Sequence, residues 1–175
     1  ATLDSGADLT VLPLPAQRLV FAVRRGHPLT RLARPGLARI LAYPLASTAQ
    51  LLPRLHADLA SARGEDASRP RADIPFPAIM VESSAAWLSL AGQSDCIALT
   101  TIAAAMPYAA AGQIAILPVE PSWLTTRHAV VHAATRPLSP AAADFVAEVQ
   151  AANAASQRLS LPSARPRAAA AGGDR

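Results

Sequence analysis

Ala78-Ile79-Met80-Val81-Glu82-Ser83-Ser84, followed by an apolar segment to Leu90, and Cys96-Ile97-Ala98-Leu99-Thr100-Thr101, followed by Ile102, Ala105, Met106 and Ala109, are one phrase written twice. Each is a short β-type run, then a pair of hydroxyls, then apolar residues at helical spacing. Ser or Thr suits the start of a helix because its hydroxyl accepts a bond from a free N–H of the first turn. Gly112 closes the second helix, and Ile114 to Leu117 makes the next strand. Upstream, Pro44 to Ser47 reads as a buried strand leading into Thr48. Leu51, Leu52, Leu55, Leu59 and Ala62 then share one face of a helix spanning Gln50 to Arg63. Strand and helix alternate through residues 44–117, the pattern of an α/β fold with parallel pairing and helical crossovers.

Outside this block, Leu19 to Val23 is a strand that stops where Gly26 and Pro28 force a turn. Leu37, Ile40 and Leu41 give one or two helical turns before Pro44. Residues 64–77 are polar and broken by Pro70, Pro75 and Pro77, which predicts a surface loop. Pro118 and Pro121 bracket a connection, and Arg127 to Ala133 is a further strand. Ser139-Pro140 opens a helix expected to turn Phe145, Val146, Val149 and Ala152 inward. Ser156 to Arg175 lacks any period and is expected to be a disordered tail.

The chain has 175 residues, enough for one domain or two small lobes. Half of it is apolar (51%) but only 4% is aromatic, so a core must be built from Ala, Leu, Val and Ile. The net charge of +4 raises the question of nucleic acid. Residues 156–175 hold four arginines against Asp174 alone, and residues 1–155 carry twelve against eleven carboxylates. Such a nearly neutral body lacks the clustered cations that neutralise several phosphates. The only cysteine, Cys96, lies in an apolar run and reads as a buried strand residue. Without a spanning apolar stretch or a secretory leader at Ala1, a cytoplasmic protein with no membrane contact is expected.

The chemistry is expected at three strand-to-helix junctions: Ser47-Thr48, Ser83-Ser84 and Thr100-Thr101. In an open parallel sheet the carboxyl ends of the strands face one crevice, where helix N-termini present free N–H groups and the positive end of the helix dipole. All six residues are therefore candidates to line one ligand pocket, suited to a carboxylate, phosphate or polyhydroxyl guest held without a dedicated cation. The plainer alternative is that each pair only caps its helix. Catalysis is disfavoured, since no Gly-x-Ser-x-Gly elbow accompanies Ser83-Ser84. His27 sits in a turn and His56 on the polar side of a helix, while His128 and His132 would share a strand face. That is no zinc set, so neither metal nor cofactor is expected. Trp87 and Trp123 could wall the pocket, but rings on a small-residue core more often serve packing.

Leu19-Val20-Phe21-Ala22-Val23-Arg24-Arg25-Gly26-His27-Pro28-Leu29 resembles the strand and His-Pro-Leu turn of the effector domains of LysR-type transcriptional regulators. The strand-Ser-Ser-helix at 78–92, Ile97-Ala98-Leu99 with its helix and Gly112-Gln113-Ile114, and Leu138-Ser139-Pro140 through Phe145 follow in the family's order over about residues 9–152. Gln93-Ser94-Asp95-Cys96 departs from a usual glycine-rich step and resembles a branch answering to sugars or aromatic acids. Thr100-Thr101 replaces a usual Leu-Pro, which implies a different pocket floor.

The resemblance implies a type II periplasmic-binding-protein-like fold of two Rossmann-like lobes joined by a hinge. Residues 1–42 plus 120–155 would form an incomplete first lobe and 43–119 the second. It implies a small organic effector, carboxylate or sugar-like, a homo-oligomer, and DNA contact only through a helix-turn-helix domain outside this sequence. A free-standing solute-binding protein of the same fold is the alternative.

Overall fold

Leu19 to Val23 are all buried because the strand that carries them, β2 (Gln17–Arg24), is covered on both faces. Side chains of a strand alternate between faces, so Leu19, Phe21 and Val23 enter one core while Val20 and Ala22 enter another. The computed structural model describes residues 8–47, 51–64, 76–119 and 121–160. Within them β2 pairs with β5 (Ile97–Thr101), β6 (Ile114–Ile116) and β7 (Thr125–Thr126), antiparallel in each case. β5 in turn pairs in parallel with β3 (Leu45–Ser47), and β3 with β4 (Ile79–Met80). The order is β4-β3-β5-β2-β6.

Helices cover both faces. α1 (Leu37–Leu41) and α2 (Pro53–Gly64) contribute Ile40, Leu41, Leu55 and Leu59 to the first core. α3 (Ser84–Gln93) and α4 (Ile102–Ala110) supply Trp87, Leu88, Ala91, Ile102 and Ala105 to the second. The sheet meets α3 and α4 through Ala22, Ala46 and Ala98, which let the helices approach closely. α4 ends as expected: Gly112 at φ +73° carries the chain back, with its N–H on Ala109 O and that of Gln113 on Tyr108 O.

The α/β architecture and the helical crossovers of residues 44–117 are those the sequence predicts. The boundary at residue 42 is not the one the sheet follows, because β2 pairs inside it, between β5 and β6. Its apolar run is long enough to be covered on both faces, so residues 17–42 group with 43–119. A separate ribbon remains, β1 (Leu9–Pro13) paired antiparallel with β8 (Ala129–Ala133), together with α5 (Pro140–Ser156). Two chain crossings join ribbon and sheet side by side, with Leu14 N donating to His128 O at 2.9 Å.

Three further expectations change. The strand at 127–133 is broken, Arg127 and His128 lying between β7 and β8, so His128 and His132 do not share a strand. Phe145 points outward, 66% exposed, because the inward stripe of α5 runs through Val146, Val149 and Asn153 at helical spacing. Order continues past Ser156: Leu159 packs on the second core and Gln157 Nε2 donates to Ala16 O at 2.6 Å. The rest of the expected tail, 161–175, lies outside the described residues, as does most of the expected loop, 65–75.

Candidate functional site

β3, β4, β5 and β6 point one way, so their carboxyl ends share an edge with the amino end of the reversed β2. A cavity of about 640 Å³ opens at that edge. Ser47 from the end of β3, Ser84 from the first turn of α3, and Thr100 and Thr101 from the end of β5 all line it. The structure thus brings four of the six sequence-predicted residues together, one or two from each junction. Ser83 is exposed and is not among the lining residues, and Thr48 lies outside the described residues.

The pairs also divide between capping and lining. Thr101 caps α4, its Oγ1 accepting from Ala104 N at 3.3 Å, while Thr100 is 5% exposed on the last turn of strand before it. Ser83 occupies the cap position of α3 but its hydroxyl makes no capping bond, contrary to the expectation from sequence. The amino ends of α2, α3 and α4 all reach the cavity, the first through Leu51, Leu52 and Leu55, so three helix dipoles direct their positive ends there.

The opposite wall was not anticipated. Gln17 opens β2, Thr126 closes β7 opposite it and His128 follows where the chain passes to the ribbon, while Val149, Asn153 and Ser156 come from α5. Asn153 was findable: with Ser156 it puts a polar residue on the stripe that Val146 and Val149 begin. Trp87 both packs in the second core and lines the cavity, whereas Trp123 is 36% exposed and lines nothing there. Among the described residues, two buried side-chain atoms have no hydrogen-bond partner, Trp87 Nε1 and Asn153 Oδ1.

Among the described lining residues there is no Arg, Asp or Glu, and His128 is the one histidine. Such a wall offers hydroxyl, amide and N–H groups set among leucines, a surface for holding an uncharged or delocalised polar molecule. The other histidines stand elsewhere. His27 is fully buried at the far end of β2, His56 Nε2 is 3.1 Å from Phe76 O, and half-buried His132 has Nδ1 3.1 Å from Ala133 O. No three His, Cys, Asp or Glu side chains gather in metal-binding reach among the described residues. Cys96 is buried beside β5, and burial pushes its thiol up, away from thiolate chemistry. No helix among the described residues is long and apolar enough to cross a membrane.

Comparison with known proteins agrees with the sequence resemblance. The LysR substrate binding domain family matches residues 2–154. The HTH-type transcriptional regulator GbpR of Azospirillum brasilense is 29% identical over 155 residues, which are 87% of this chain and 44% of that protein. The chain therefore spans less than half the length of this curated relative. Among solved structures, the effector domain of AmpR from Pseudomonas aeruginosa superposes with a TM-score of 0.62 at 19% identity, covering 88% of this chain and 70% of that one. The effector binding domain of QuiR, in complex with shikimate, does so at 0.57 and 19%, covering 89% and 70%. The chain belongs to the LysR substrate binding domain family.

Proposed function

We propose that the cavity holds a small organic effector, carboxylate or sugar-like, and that the chain is the sensing part of a LysR-type transcriptional regulator. The observation that carries this reading is the arrival of Ser47, Ser84, Thr100 and Thr101 from three separate junctions at one cavity. A guest there touches the sheet on one side and α5 with the two crossings on the other. Its affinity therefore depends on how ribbon and sheet are disposed, and that difference is what lets a ligand shift an equilibrium between two arrangements. In a homo-oligomer the shift re-aims DNA-binding domains carried by another part of the polypeptide, in the cytoplasm. Contact with DNA is left to that part, since residues 1–155 are nearly neutral.

The likeness to a helix-turn-helix regulator favours this reading over a free-standing solute-binding protein. QuiR is described with shikimate, a small hydroxylated acid, and a guest of that size suits a cavity of about 640 Å³. The wall supplies donors without a nucleophile-base pair, so binding without turnover and without a cofactor is expected.

Calorimetric titration of a panel of hydroxylated acids and sugars tests the site. Thr100→Val removes a lining hydroxyl at nearly constant volume and should weaken binding about tenfold. Ser83→Ala should leave it unchanged. Equal affinity in both variants, or no binding by any of the panel, removes the assignment.

A further inference from the structure

We infer that Trp87 and Asn153 form a hydroxyl-reading pair and that the guest is a neutral polyol rather than a simple organic acid, an inference that rests on the ligand-binding reading above. Among the described residues, Trp87 Nε1 and Asn153 Oδ1 are the two buried side-chain polar atoms without a partner. Both residues are 5% exposed and both line the one cavity, Trp87 from α3 and Asn153 from α5. Buried polar groups are nearly always satisfied, and leaving one unmade is costly. Two such groups from different helices lining one cavity point to an occupant that completes them as the wall adjusts around it.

Their chemistry selects the occupant. An indole N–H only donates, and an amide oxygen only accepts. A carboxylate accepts from Trp87 but sets its negative oxygen against Asn153 Oδ1. Hydroxyls both donate and accept, so a molecule bearing several serves both atoms at once. The described lining holds no Arg to neutralise an anion, while Leu19, Leu52 and Leu99 offer apolar surface to the C–H faces of a sugar-like ring.

The test uses the intact chain and four probes: myo-inositol and methyl α-D-glucopyranoside as neutral polyols, shikimate as a hydroxylated acid, benzoate as an acid without hydroxyls. Calorimetry should show the polyols binding and benzoate failing. Trp87→Phe and Asn153→Leu should each weaken polyol binding about tenfold or more. Both should leave the melting temperature unchanged or raised, because each replaces an unpaired polar atom by an apolar one. A purely structural role for either side chain would instead lower the melting temperature and spare affinity. Benzoate binding as tightly as the polyols, or variants that retain full polyol affinity, overturns the inference. If only the acids bind, with sensitivity to Thr100→Val, the ligand-binding reading stands and the polyol assignment falls. Binding by none of the four overturns the inference and counts against the ligand-binding reading as well.

Discussion

His27 has no exposed surface, yet it carries the one imidazole at the turn where β2 ends. Leu29 N donates to its Nδ1 at 3.2 Å, which leaves the ring proton on Nε2, 3.4 Å from the carbonyl oxygen of Asp95. Tyr43 meets the ring edge-on at 4.6 Å. Burial pushes the imidazole below its ordinary range. The Asp95 carbonyl and carboxylate pull it partly back up, and Arg24, 2.7 Å from that carboxylate, pushes it down again. The folded chain therefore keeps His27 neutral over a pH range in which the unfolded chain, titrating near 6.5, already takes a proton. More protons are bound by the unfolded state in that window, so stability falls as pH drops. The contribution is complete above about pH 6.5 and is lost on the way down to the folded value, with a slope of at most about 1.4 kcal/mol per pH unit. Urea unfolding at about pH 7.5 and about pH 5.5 should show this loss in the native chain, and His27→Gln should flatten it. An equal slope in both would place the titration elsewhere.

At the scale of elements, the hydroxyl pairs separate two tasks that the sequence leaves joined. Thr101 is committed to α4, so Thr101→Ala should cost about 1 kcal/mol of stability, a fall in melting temperature of roughly 2–4 °C, and Thr101→Ser should restore it. Because its Oγ1 already accepts from Ala104 N, the same change should weaken guests less than Thr100→Val does. Differential scanning calorimetry beside the titrations separates the two effects; an affinity loss in Thr101→Ala as large as in Thr100→Val would show that capping and binding are not divided. The repeated strand-hydroxyl-helix phrase was legible because an apolar period starts right after the hydroxyls at 83–84 and 100–101, although of Ser83 and Thr101 only Thr101 makes the capping bond. β1 was missed because Leu9 to Pro13 shows no strict alternation and ends in proline. Its partner is β8, more than a hundred residues on, and a local pattern does not reveal such pairing. Most of the far wall of the cavity was illegible for the same reason: Gln17 and Thr126 carry no motif, and only the return of α5 sets Asn153 opposite the sheet edge. Phe145 misled because hydrophobicity alone favoured it, whereas the register of Val146, Val149 and Asn153 sets the inward face.

For the molecule as a whole, the question is what holds α5 across the cavity. The helix itself gives the buried interior Val146 and Asn153, and the ribbon it follows has exposed apolar residues, Leu9 and Val131. The tie lies just beyond its end. Leu159 packs against the second core, Arg18 Nη2 donates to Leu159 O, and Gln157 Nε2 donates to Ala16 O. These contacts fasten the last turn of α5 to the segment entering β2, next to Gln17. Val149, Asn153 and Ser156 line the cavity, and residues 157–159 are expected to act as a strap whose docking keeps them there. Apparent affinity is the intrinsic affinity reduced by the fraction of chains in the competent arrangement. Leu159→Ser removes a half-buried side chain worth about 1 kcal/mol, which shifts the docking equilibrium roughly fivefold. Hydrogen exchange should then quicken along residues 140–156 while β2 and β5 keep their protection, and guest affinity should fall by up to that same factor. Uniformly faster exchange throughout the sheet would instead show that the strap stabilises the chain globally, and α5 would no longer be the movable wall through which a guest is sensed.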